Sequence, residues 1–105
     1  MNSQFENIEL INNEDKKRFE LHHDGHFAFI TYEVKEGVWY LEHTVAPEEL
    51  RGTGVAKAMA LKVFTLLKER NVKIQPICSY LHGFIQRNSE WKNLVDKKYE
   101  KYSEL

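Results

Sequence analysis

The chain has 105 residues, 42% hydrophobic and 30% charged, with 15 basic residues against 16 acidic ones and a net charge of −1. That length fits one domain, residues 1–105, and the composition is too apolar for a disordered chain. The charge balance lacks the basic excess of a nucleic-acid binder, and no apolar run approaches the ~20 residues that cross a bilayer. Cys78 is the one cysteine, so no internal disulfide forms, which suits a reducing compartment. The start "MNSQFENIEL" lacks the basic and apolar runs of a secretory signal. The expectation is a cytoplasmic (intracellular) monomer with no membrane or nucleic-acid partner.

The first 44 residues read as strands. "NIELIN" is a short one. "KRFELHH" alternates Phe19 and Leu21 with polar neighbours. "HFAFITYEV" puts Phe27, Phe29 and Thr31 on one side and Ala28, Ile30, Tyr32 and Val34 on the other. "VWYLEHT" is rich in aromatic and β-branched residues. These are the period and composition of strands. The separators "NNEDK", "HDG" and "KEG" carry turn residues and are short enough for hairpins. An antiparallel meander follows.

From Gly54 the period changes. Val55, Ala56, Met59, Ala60, Val63, Phe64 and Leu67 form one stripe of a helix. Asn71 is its expected left-handed cap. "VKIQPICSY" reads as the next strand, with Pro76 suited to an edge or bulge and Cys78 near the strand's end. "LHGFIQRN" reads as a short helical turn. "WKNLVDKKYEKY" spaces Trp91, Leu94, Val95, Tyr99 and Tyr102 as a terminal helix would, with its lysines solvated. The strands flanking the long helix should be parallel, joined by a right-handed crossover. The expected fold is α+β: a mixed sheet with an antiparallel N-terminal meander, a βαβ unit and C-terminal helices. Ligands of such units sit beyond the carboxyl ends of the strands, where the helix begins.

There the sequence reads "EHTVAPEELRGTGVAKAMALKVF". Helix N-termini present unpaired N–H groups and favour anions. Gly52 and Gly54 lack a Cβ, so a phosphate can approach the backbone, with Arg51 and Lys57 adding positive charge. The glycines also serve as a plain strand-to-helix turn. The dinucleotide pattern G-x-G-x-x-G is not met, because position 57 is Lys57. "RGTGVA" matches R/Q-x-x-G-x-G/A, and "VAPEELRGTGVAKAM" as a whole resembles motif A of the GNAT superfamily of acyl-CoA-dependent N-acetyltransferases. With "EHT", "CSY" and "RN…W", the chain resembles the small single-domain, or minimal, branch of that superfamily over roughly residues 7 to 95.

The resemblance implies acetyl-CoA as cosubstrate and no metal. The pyrophosphate would meet the backbone of Gly52, Thr53, Gly54, Val55, Ala56 and Lys57, helped by Arg51. The pantetheine arm would pair with the strand ending at His43, Thr44 and Val45, the Val45 N–H serving the oxyanion.

Acetyl transfer needs a neutral amine, and a lysine-like amine with a pKa of about 10.4 is almost wholly protonated at neutral pH. A base is therefore required. His43 has the right chemistry, or is a sheet histidine. Cys78 would carry the acetyl group in a covalent route, beside His43, or is a small buried residue. Tyr80, read as preceding the helix, would protonate the CoA sulfur. Asn88, Arg87 and Trp91 in "QRNSEW" are further contacts to CoA or acceptor.

Most GNAT proteins have two helices between the first two strands. Here only "NNEDKK" is available, which implies an open acceptor groove and an amine on a protein or peptide. His22 and His26 are expected to face each other across a hairpin, without convincing metal-ligand spacing. The alternative function is an acyl-CoA sensor or interaction module with little turnover.

Overall fold

In the computed structural model, which describes residues 3–105, a short helical turn α1 (Ser3–Glu6) leads into the strands. These are β1 (Ile11–Asn13), β2 (Arg18–His23), β3 (His26–Lys35), β4 (Val38–Val45) and β5 (Lys73–Pro76). They form one sheet in the order β1-β2-β3-β4-β5, antiparallel except for the parallel β4–β5 pair. The meander closes through Asp24-Gly25 and Glu36-Gly37, both residues of each pair having positive φ. That turn geometry matches the twist of the flanking strands. Between β4 and β5 run a 3-10 turn (Glu48–Leu50) and the long helix α2 (Val55–Glu69). Asn71 takes the left-handed conformation after α2, φ 57°, as its sequence position implied.

Strand alternation sets the core. Phe19, Leu21, Ala28, Ile30, Tyr32 and Leu41 are buried on the sheet face that α2 covers. The α2 stripe answers with Val55, Met59, Ala60, Val63, Phe64 and Leu67. Ala58 is buried too, while Ala56 is only half-buried. A third helix, α3 (Ser79–Arg87), adds Leu81, Phe84 and Ile85. The Phe64 ring meets Phe84 at 5.9 Å and Trp91 at 5.5 Å, joining α2 to α3 and the tail.

Four expectations about the elements need correction. "NIELIN" yields only the three-residue β1, because Ile8 and Leu10 lie against the core outside any strand. β5 stops at Pro76, so Cys78 lies beyond it and caps α3. The short turn expected at "LHGFIQRN" is the nine-residue α3, and Tyr80 sits in its first turn. The terminal helix is absent: Ser89–Leu94 and Tyr102–Glu104 are 3-10 turns. Between them Val95 bridges Ile74 and the Asp96 N–H bonds the Ile74 carbonyl at 2.8 Å. This segment thus runs along β5 and covers its outer edge, a cheaper use of the apolar residues than a free helix. The Tyr99 hydroxyl donates to the Pro76 carbonyl at 2.9 Å and lies 2.8 Å from His82 Nδ1.

The other sheet face carries an ionic cluster that simple alternation does not reveal. Glu20, polar in pattern, is only 6% exposed. Its carboxylate accepts hydrogen bonds from Arg18 Nε (2.6 Å), His22 Nε2 (2.8 Å) and Asn13 Nδ2 (2.9 Å). The Arg18 guanidinium lies over the Phe29 ring at 4.7 Å and the Phe27 ring at 5.2 Å. His22 stacks on Phe27 at 4.9 Å and does not face His26, whose cross-strand partner is His23.

Burial pushes the Glu20 carboxyl up, but hydrogen bonds from His22, Arg18 and Asn13 outweigh it and bring the pKa from 4.5 down to about 2. A lowered folded-state value means this carboxylate stabilises the fold fully above pH 4.5 and loses that contribution as pH falls toward 2. Glu20→Gln should lower stability by roughly 2 kcal/mol at neutral pH. Urea unfolding of both proteins should show the difference shrinking once the pH drops below the ordinary carboxylate range.

Candidate functional site

β4 and β5 pair only from Val38–Lys73 to Leu41–Pro76, then separate. Two features of the chain cause this. Pro76 has no N–H to continue the ladder. Its neighbour Ile77 bonds back to the Gln75 carbonyl at 2.9 Å, turning the chain away. On β4, Tyr32 faces Leu41 and Thr31 faces His43, so Glu42 is an extra, bulged residue. Cys78 N–H then returns to the Leu41 carbonyl at 2.9 Å and closes the near end of the gap. Glu42–Val45 have no partner strand on the β5 side among the described residues.

The gap opens onto the start of α2. Arg51, with an extended backbone, follows the 3-10 turn, and the Thr53 hydroxyl donates to the Leu50 carbonyl. Gly52 (φ 76°) and Gly54 (φ 86°) both take the left-handed conformation, which costs other L-residues about 1–2 kcal/mol. Gly54 is the N-cap and supplies no side-chain cap, so the first turn of α2 keeps its backbone donors. A Cβ at Gly52 would meet nothing within 4 Å, so the space above it is open. A cleft of about 270 Å³ lies here. It is lined by the turn, by Val55, Ala56 and Lys57 of α2, and by Ala46, Leu50 and Tyr80. A larger hollow of about 510 Å³ between Glu6–Leu10 and α2 holds no histidine, cysteine or tyrosine and touches no strand end.

The residues picked from the sequence are only partly brought together. Thr44 and Cys78 meet across the gap, the thiol Sγ lying 3.2 Å from Thr44 Oγ1. Cys78 is half-buried. His43 is exposed and, being next to Thr44 on a strand, points to the opposite face, beside Thr31. The expected Cys78–His43 pair is therefore replaced by Cys78–Thr44, and Thr44 is the residue that sequence reasoning missed in that role. Only the bulge at Glu42 would have announced which side chain turns toward Cys78.

Val45, the last residue of β4, is 41% exposed. Tyr80 reaches the cleft from α3. Burial raises its phenol above the ordinary 10.0, against the pull of Arg87 and with a further push from Cys78. It stays protonated at neutral pH. Asn88 is used locally: its side-chain amide donates to the Phe84 carbonyl at 2.9 Å at the far end of α3. Among the described residues no cluster of His, Cys, Asp and Glu has metal-binding geometry, and no helix is long and apolar enough to cross a membrane.

A sequence profile described as GCN5-related N-acetyl-transferase matches residues 18–94, about three-quarters of the chain. The chain belongs to the GCN5-related N-acetyltransferase family. Protein NATD1 of Bos taurus is 31% identical over 62 residues, which are 58% of this chain and 55% of that protein. The chain thus spans about half the length of this curated relative. The mixed sheet, the parted strands and the glycine turn before α2 are the parts of a GNAT fold, here on a chain whose β1 and β2 are joined by a four-residue turn.

The backbone conformation at the turn is testable without ligand. Gly52→Ala should lower stability by about 1 kcal/mol from the left-handed φ alone, since the added methyl meets open space. Chemical denaturation measures this. An unchanged midpoint would mean the turn is not held in that conformation in solution.

Proposed function

We propose that the protein transfers the acetyl group of acetyl-CoA to an amine. The observation that carries this reading is the union of two features in a GCN5-related N-acetyltransferase: the unpaired β4 edge beyond Leu41 and the uncapped glycine turn at α2. In this reading the pyrophosphate lies on the backbone amides of Gly52 and residues 54–57, with Arg51 and Lys57 at the rim; the Thr53 N–H, expected to join them, is instead donated to the Leu50 carbonyl at 3.3 Å. The pantetheine arm pairs with β4 past Glu42. The thioester carbonyl then meets the Val45 N–H, which holds the oxyanion of the tetrahedral intermediate.

His43, exposed on the sheet face away from α2, takes a proton from the incoming ammonium or from the attacking nitrogen. The amine nitrogen forms the new bond to the acetyl carbon as the carbon–sulfur bond breaks. Tyr80, protonated and facing the cleft, gives its proton to the departing sulfur and regains one from solvent. The product amide and CoA leave.

The position of Cys78 Sγ against Thr44 favours one variant. There the cysteine sulfur accepts the acetyl group by thioester exchange, releasing CoA, and passes it to the amine. Mass spectrometry of the protein incubated with acetyl-CoA and no acceptor separates the routes. A single acetyl adduct at Cys78, with loss of turnover in Cys78→Ala, means the covalent route. No adduct, with activity kept in Cys78→Ala, means direct attack.

Two measurements test the whole reading. Titration with CoA should shift the amide signals of residues 52–57, and Arg51→Ala should weaken binding about tenfold, the loss of one charge-assisted hydrogen bond. Labelled acetyl-CoA with a panel of peptides and small amines should give acetylated product. CoA binding without product would make the protein a sensor of acyl-CoA. No binding at millimolar CoA would refute the proposal.

A further inference from the structure

We infer that the hollow between the start of β3 and the end of β4 receives the apolar arm of the acceptor, an amine carried on an aryl or long alkyl chain. This rests on the transferase reading above. The hollow measures about 290 Å³ and is lined by Gly25, His26, Phe27, Phe29, Val45 and Pro47. That is the low end of the range for ligand pockets, sized for one ring or one alkyl chain.

Its place is set by register. Phe29 and Val45 are cross-strand partners, and His43 lies on the same face of β4. Two residues of strand span about 7 Å, so a chain seated on Phe27 and Phe29 and crossing Val45 brings its terminal nitrogen to His43 and the β4 edge. The face is open to such a ligand: Phe27 and Phe29 are only part-buried, and Val45 is 41% exposed. No helix stands between β1 and β2 to cover it, since Asn13 and Arg18 are joined by a turn.

Charge fixes the class of ligand. Among the described residues the lining of the hollow holds no lysine or arginine, and Nδ1 of its His26 lies 3.9 Å from Glu49 Oε1. Across the tip of β4, the cleft at α2 carries Arg51 and Lys57. The anionic cosubstrate is thus favoured on one side of the tip and an apolar group on the other. The Arg18 guanidinium, held by Glu20, lies over both rings and keeps them in place as walls. An alkyl or aryl group matches this lining, whereas a polyamine without an apolar segment leaves the rings unfilled. The same chemistry arrives as a free amine or as a lysine side chain on a peptide.

Initial rates with saturating acetyl-CoA test this, using phenylethylamine, an N-acetyl-lysine peptide and spermidine as acceptors. Phenylethylamine or the peptide should be preferred over spermidine in kcat/KM, and which of the two leads identifies the source. Phe27→Leu should narrow the preference over spermidine. As a readout independent of turnover, phenylethylamine added to the CoA complex at millimolar concentration should shift the amide signals of Phe27 and Phe29. Preference for spermidine, or an unaltered preference in Phe27→Leu with no shift at Phe27 and Phe29 in the unmodified protein, overturns the pocket while leaving the transferase intact. Failure of the unmodified protein to bind CoA overturns both.

Discussion

The separation of β4 from β5 after the Leu41–Pro76 pair is the constraint on which the rest of the site depends. It arises from backbone chemistry. A proline that cannot donate meets a strand that carries one residue too many, and each defect would be costly in the middle of a sheet. Together they release the same stretch of edge. The Cys78 N–H, bonded to Leu41, keeps the opening from running back into the paired part of the strands. The gap is therefore a fixed feature with a closed end, and the start of α2 stands at its mouth.

The two faces of the sheet have divided the work. One face holds nearly all of the core, under α2 and α3. The other has no helical cover to exclude water, and instead ties down its charges: Arg18 is clamped between Glu20 and two aromatic rings. A buried carboxylate normally opposes folding unless it is fully satisfied, and here three donors satisfy it. The order of that surface keeps Phe27 and Phe29 in place beside β4 without a layer on top of them.

Much of this was legible in the chain, for identifiable reasons. The four main strands of the meander and sheet and the helix α2 declared themselves by their periods, and the glycine turn by its motif, because each depends on residues close in sequence. The tail from Trp91 onward was misread because Trp91, Leu94, Val95 and Tyr99 have helical spacing yet bury themselves one at a time against α2, β5 and α3. Spacing cannot tell a stripe from a string of separate contacts. The bulge at Glu42 was also silent, being a matter of register between strands, and it decides that Thr44 and not His43 faces Cys78. Glu20 looked like an outward polar residue because the groups that satisfy and cover it, Arg18, His22 and Asn13, all lie on the outward face with it.

The hydrogen bonds of Tyr99 carry a consequence for the gap. A phenol has one proton, and Tyr99 gives it to the Pro76 carbonyl, so the hydrogen between Tyr99 and His82 must come from the imidazole Nδ1. The ring is thereby locked in one tautomer, with its lone pair at Nε2. The hinge where the two strands diverge is thus braced from outside by a relay of fixed polarity, running from α3 through the tail to the Pro76 carbonyl.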